Sequence, residues 1–208
     1  MKAIVGTKQG MTQVFDADGV CHPGTVLSVA PMVVTQVRTS DRDGYEAVQL
    51  ASEAVKANRL NKAQKGHHES AHTNVVEFRP QNGKDSLDAF GDGETVDVSQ
   101  FEVGDTVMVS AISKGKGFQG VVKRHGFKGA ASKTHGTKHT ERAPGSIGAT
   151  GIARVLKGTR MAGRMGGDRV TVKNLKVLQV NPEEGVLVLK GAVPGPKGGT
   201  VEVRAKGA

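Results

Sequence analysis

Three groupings in this 208-residue chain carry residue types at spacings that chemistry uses. His68-Glu69-Ser70-Ala71-His72 has the H-E-x-x-H spacing, in which two imidazoles on one helical face hold zinc and the glutamate is the general base. Gly115-Lys116-Gly117-Phe118-Gln119-Gly120 has the G-x-G-x-x-G spacing that brings backbone close to a pyrophosphate. His135 and His139 stand four residues apart, as two metal ligands on one helix would.

Each of the three weakens in its context. Gly66 sits just before the first histidine motif, Ser70, His72, Thr73 and Asn74 are weak helix formers, and no H-x-x-G-x-x-H extension supplies a third ligand. A polar surface loop is the better reading there. Only five residues separate Gly120 from Gly126, too few for the long helix of a dinucleotide fold, and no second βαβ unit follows. Lys133, Lys138 and Arg142 surround His135 and His139 and oppose a dication, so phosphate or base-edge contact suits that pair better. No G-x-x-x-x-G-K-[ST] loop occurs, and Gly145-Ser146-Ile147-Gly148 lacks the spacing of a nucleophile elbow. The residues predict no enzyme, no cofactor, no metal and no small-molecule substrate.

Charge is the stronger signal. From Ser113 to Lys176, 15 of 64 residues are Lys or Arg, opposed only by Glu141 and Asp168. The remainder holds 14 basic and 18 acidic residues, so the formal +9 is a localised cation block in a mildly acidic protein. A charge run is ordinarily a solvated face, but solvated faces mix signs. Self-repulsion disfavours independent folding of such a block, and a polyanion between the cations relieves it. RNA or DNA phosphate is the obvious candidate. The block also contains 13 of the 29 glycines, which let backbone approach phosphates while Lys114, Lys116, Lys123 and Arg124 neutralise them. Phe118 and Phe127 are its only aromatic rings, which favours backbone and shape recognition over a stacking platform.

The elements that must position this block read as strands. Ala3 to Val5 and Met11 to Phe15 form short runs, and Asp18-Gly19 is a hairpin-turn signal. Thr25 to Thr39 is rich in β-branched residues, with Pro31 as a break, and Gly44 to Leu50 gives another strand. Ser52 to Gln64 reads as a helix ended by Gly66, and residues 66–100 are polar and the least readable. Thr106 to Ala111 is a strand. In Arg169 to Val180 the apolar parity shifts between Val170/Val172 and Leu175/Val177, which a bulge near Asn174 would explain. Val186 to Leu189 is apolar on both faces and therefore central, and Val201 to Arg204 alternates cleanly. Many short strands with few helices predict a mainly β chain built on a small β-barrel. Its domain spans residues 1–112 and 170–208, with a partly helical polar insert at about 52–100 and an irregular basic extension over 113–169.

Length bounds this at one large domain or one domain with a big insertion. A single Cys21 excludes an internal disulfide and suits a reducing compartment. The start of the chain has no signal-peptide apolar region, and no run approaches the ~20 apolar residues of a membrane helix. A soluble, intracellular protein without a membrane partner is expected.

Several motifs, in order along the chain, resemble bacterial large-subunit ribosomal proteins of the L-three family. They are Gly6 to Thr12, Asp43 to Gln49, Ser113 to Val121, Arg142 to Gly148, Met161 to Gly163, Arg169 to Val172 and Leu189 to Gly195. The similarity runs from residue 1 to about 204. It implies a translation-protein-like barrel with an extension threaded into large-subunit rRNA, binding near the RNA's 3′ end, and help in starting subunit assembly. It also implies ribosomal proteins L-fourteen and L-nineteen as neighbours, and a cytoplasmic location on the ribosome. The tip, Gly145 to Arg154, would approach the peptidyl transferase centre without a catalytic group. The rRNA contacts expected together from charge and resemblance are Lys2, Lys8, Lys114, Lys116, Lys123, Arg124, His125, Lys128, Lys133, His135, Lys138, His139, Arg142, Ser146, Arg154, Lys157, Arg160, Arg164 and Arg169.

This chain departs from the family pattern at two places. Ala149 stands where many bacterial members have a Gln that is methylated in some, and the following segment lacks the common Pro-Gly and is one residue shorter. A free-standing nucleic-acid-binding regulator is the alternative from another class, and a zinc hydrolase acting through His68, Glu69 and His72 is the more remote one.

Overall fold

The computed structural model describes residues 1–67, 72–80, 87, 90–130, 136 and 140–205. His68, Glu69, Lys133, His135, Lys138 and His139 lie outside the described residues.

In chain order the strands are β1 (Ala3–Phe15), β2 (Cys21–Ser28), β3 (Met32–Arg38), β4 (Ala47–Ala54), β5 (His72–Phe78), β6 (Thr95–Val96) and β7 (Thr106–Ile112). They continue as β8 (Phe118–Gln119), β9 (Gly163–Arg164), β10 (Arg169–Asn181), β11 (Val186–Lys190) and β12 (Thr200–Ala205). The α-helices are short: α1 (Ser40–Asp43), α2 (Lys62–His67) and α3 (Val121–His125). Six strands close into a barrel in the order β1-β12-β7-β10-β11-β2, every neighbouring pair antiparallel. A four-stranded sheet, β5-β4-β3-β6, completes the same unit. Both sheets contribute to one core, which includes Ile4, Leu27, Val107, Val109, Leu187 and Val203 from the barrel and Met32, Val34, Leu50 and Phe78 from the sheet.

Local chemistry explains the main features. Asp16 closes the β1–β2 hairpin: its Oδ1 accepts from the amides of Asp18 (3.1 Å) and Val20 (2.9 Å), while Gly19 takes a positive φ of 75°. The bond from the Val20 amide, followed by the His22 ring 2.9 Å from Oδ2, holds the Asp16 carboxyl below its ordinary value. A depressed carboxyl contributes stability above the ordinary aspartate pKa, about 3.9, and loses it as pH falls through the folded value. The Val20 amide chemical shift is therefore expected to titrate with a midpoint below that of a free aspartate. A midpoint at or above it would remove this account of the turn.

In β10 the pairing with β7 slips between Val172 and Leu175, and Asn174 between them has a left-handed φ of 59°. The slip lets Val172 and Leu175 both face partners on β7, as the parity change requires. The central position expected for Val186 to Leu189 is also observed: β11 lies between β10 and β2, with Leu187, Val188 and Leu189 buried.

Some expectations shift. The two N-terminal runs are one thirteen-residue strand, irregular between Lys8 and Met11. The helix expected over Ser52 to Gln64 is a strand to Ala54, a 3-10 turn at Ala57–Arg59 and then α2. Pairing of Ser52 and Ala54 with Asn74 and His72 overrides their modest strand propensity. His72 thus lies on a strand, not on the helix that the H-E-x-x-H chemistry needs.

Candidate nucleic-acid interface

The contacts divide the chain into two units, 1–112 with 169–208, and 113–168. Arg169 belongs with the first, as the register partner of Ile112. The second unit holds twelve Lys or Arg against two acids.

Its base is a paired backbone. The Ser113 amide donates to the Asp168 carbonyl (2.8 Å), the Lys116 amide to Met165 (2.9 Å) and the Met165 amide to Gly117 (3.0 Å). Gly166 has a φ of +76°, and a Cβ there would lie 2.2 Å from the Lys114 carbonyl oxygen, so only glycine fits this close pass. Beyond it β8 pairs with β9, Phe118 opposite Arg164 and Gln119 opposite Gly163. α3 follows, ended by Gly126 in the left-handed conformation, and is too short to serve a dinucleotide fold. The guanidinium of Arg124 donates to the Met161 carbonyl (2.8 Å), which also lies 3.0 Å from the ring nitrogen of His125. These bonds tie the outgoing and returning chains together near α3.

Packing here is of a different kind from the barrel's. Among the described residues from 113 to 168, Val121 alone is buried, at 3% exposure. Ordering a residue costs about 1–2 kcal/mol of backbone entropy, and one buried apolar side chain among the described residues offsets little of it. Nor does charge pairing help. The described cations Lys114, Lys116, Lys123, Arg124, Lys128, Arg142, Arg154, Lys157, Arg160 and Arg164 are all exposed, and none forms an ion pair with another described residue. Residues 144–160, which include the expected tip Gly145 to Arg154, are exposed throughout, and the hydroxyl of Ser146 is turned back onto the Gly148 carbonyl at 2.9 Å.

The three other residues expected at an RNA surface, which lie outside this unit, are placed differently. Lys2 pairs with Asp105 at 3.0 Å, Lys8 donates to the carbonyls of Val193 (2.6 Å) and Gly195 (3.1 Å), and Arg169 forms a two-pronged pair with Glu202. On the barrel unit a groove lined by Arg79, Arg169, Lys173 and Arg204 also contains Glu77 and Glu202. Charge is balanced on that unit and unbalanced on the other. The division could not be read from the lysines and arginines alone, because Asp105 and Glu202 are 103 and 33 residues away from their partners.

The arrangement has the charge to bind a polyanion. Among the described residues no three His, Cys, Asp or Glu side chains gather as a metal site would require.

Comparison with known proteins identifies the family. The profile of the family described as Ribosomal protein L3 matches residues 41–186. "Large ribosomal subunit protein uL3" of Acidothermus cellulolyticus is 51% identical over 210 residues, spanning 100% of this chain and 94% of that protein. The proteins of the same name from Chloroherpeton thalassium and Streptomyces avermitilis are each 48% identical, covering 98% and 100% of this chain and 98% of either relative. A barrel unit with balanced charge, a second unit whose ten described cations are all exposed and full-length identity near one half lead to one assignment: this chain belongs to the ribosomal protein L3 family, structural, non-enzymatic proteins of the large ribosomal subunit.

Proposed function

We propose that the protein binds large-subunit rRNA through residues 113–168, while the barrel unit anchors this extension on the subunit. The observation that carries the reading is the set of ten exposed cations with no ion pair to a described residue, on a segment where Val121 alone is buried among the described residues. Phosphate would supply both the missing counter-charge and the missing packing surface. Within this reading Lys114, Lys116, Lys123, Lys128, Arg142, Arg154, Lys157, Arg160 and Arg164 neutralise phosphates. Arg124 and His125 shape the segment through Met161 and offer their remaining donors. Lys133, His135, Lys138 and His139 belong to the same surface on grounds of sequence. Lys2, Lys8 and Arg169 serve chiefly inside the barrel unit.

Family resemblance supports the finer reading: a site near the 3′ end of the rRNA, a part in nucleating assembly, and a tip directed toward the peptidyl transferase centre. It also supports neighbours of the L-fourteen and L-nineteen families, and work on cytoplasmic ribosomes. Sucrose-gradient sedimentation of a cell lysate tests the assignment, with the protein expected in the large-subunit and whole-ribosome fractions at low salt. Purified protein should bind protein-free large-subunit rRNA with log K falling against log[salt] at a slope of roughly −4 to −9, if six to ten cations contact phosphates. A slope near zero, or protein confined to the top of the gradient, would overturn the proposal.

A further inference from the structure

The excursion carries two aromatic rings, and they are placed in opposite ways. Phe127 is half-buried and packs against His125, ring centres 6.0 Å apart at 46°. Phe118 is 78% exposed and makes no ring contact with any described residue. It is the most exposed large apolar side chain among the described residues of the protein.

We infer that Phe118 is a stacking site for one unpaired nucleobase, with Arg164 beside it to take the phosphate of the same or the next nucleotide. The inference rests on the rRNA reading above and deepens it. Backbone on both sides of the ring is held: Gln119 donates its side-chain amide to the Lys116 carbonyl, and the Lys116 and Met165 amides bond across to the returning chain. The ring is therefore presented on a braced support, which lowers the ordering cost when a partner covers it. In the β8–β9 pair Phe118 and Arg164 are directly opposite, so their side chains leave the same face.

The surroundings decide the occupant. Lys114, Lys116 and Arg164 are exposed and without carboxylate partners near the ring in sequence or register. An apolar protein surface would bury those cations without compensation, and the cores of protein interfaces are depleted of charge for that reason. A nucleotide presents an apolar π-face and an anion together, matching both halves of the site. Scarcity of aromatics excludes a stacking platform of several bases, but a single ring suffices for one flipped-out base.

The test uses the full-length protein and protein-free large-subunit rRNA, comparing Phe118→Ala, Phe118→Leu and Phe118→Trp. An alanine at a base-stacking position is expected to weaken binding roughly 5- to 150-fold. The salt slope should stay at the wild-type value, since no phosphate contact is removed. Phe118→Leu should lose most of that affinity despite retaining apolar area, and Phe118→Trp should keep it. Because the ring is exposed, all three variants should melt with the wild type. Binding of Phe118→Ala within twofold of wild type, or Phe118→Leu as tight as wild type, would overturn the stacking site while leaving the rRNA reading intact. So would unchanged binding to protein-free RNA combined with loss of incorporation into subunits, which would make the ring a protein contact. Wild-type protein that shows no salt-dependent binding at all would remove both readings together.

Discussion

A chain in which Asn-Gly replaces residues 113–168 is expected to fold as the barrel unit and to be absent from large ribosomal subunits. Ile112 and Arg169 are register partners at the ends of β7 and β10, so the two strands already stand as a hairpin lacking a turn. Antiparallel partners lie about 4.5–5.5 Å apart at Cα, a gap that a two-residue type I′ turn spans, and Asn-Gly is its preferred sequence. The barrel and sheet core is drawn entirely from residues outside the removed segment. Shortening the connection from 56 residues to two would, by a flexible-chain estimate, also remove about 3 kcal/mol of loop-closure entropy. Circular dichroism and thermal melting should thus show a β-rich protein with a cooperative transition at least as high as the parent's. Expressed beside the parent and followed through a gradient, the shortened chain should sediment with free protein. An unfolded product would show that the barrel depends on the excursion. Undiminished entry into subunits would move the RNA interface to the barrel itself.

How far the sequence discloses this arrangement depends on the range of the interaction concerned. Features set by neighbours in the chain are legible: the Asp18-Gly19 turn and the parity change that places a bulge at Asn174. Each depends on a local backbone preference or on side-chain alternation, and both are written in consecutive residues. Features set by distant partners are not. β5 is hidden because His72 and Asn74 have little strand character and interrupt the pattern, and pairing with β4 organises them. Glu202, far along the chain, gives Arg169 a partner that no reading of the block could supply. Phe118 is the converse case. Its identity is plain in the sequence, and the general rarity of aromatics argues against stacking; only its exposure beside Arg164 reveals a place for one base.

Neutralising four cations of the excursion should weaken rRNA binding far more than neutralising two on the barrel unit, though all six are basic residues of one protein. The quadruple variant is Lys116→Gln, Lys123→Gln, Arg142→Gln and Lys157→Gln; the double variant is Lys2→Gln with Arg169→Gln. In the first set every side chain is exposed and without an ion pair to any described residue, so each can displace counterions from a phosphate. Each lost contact reduces the slope of log K against log[salt] by about 0.7–0.9, so four make it shallower by roughly 3. Near 0.1 M salt the same arithmetic gives a loss of two to four orders of magnitude in affinity. In the second set Lys2 is held by Asp105 and Arg169 by Glu202, and an RNA phosphate would have to compete with a carboxylate already in place. Solvent-accessible pairs are worth about 0–1 kcal/mol, and with Lys2–Asp105 only part-buried and Arg169–Glu202 exposed the double variant should stay folded. Its slope should change by less than about 0.5. Filter-binding or fluorescence titrations at four salt concentrations separate the two outcomes. Equal losses from both sets would mean that charge acts through the whole molecule's field, and the excursion would then hold no privileged contact with RNA.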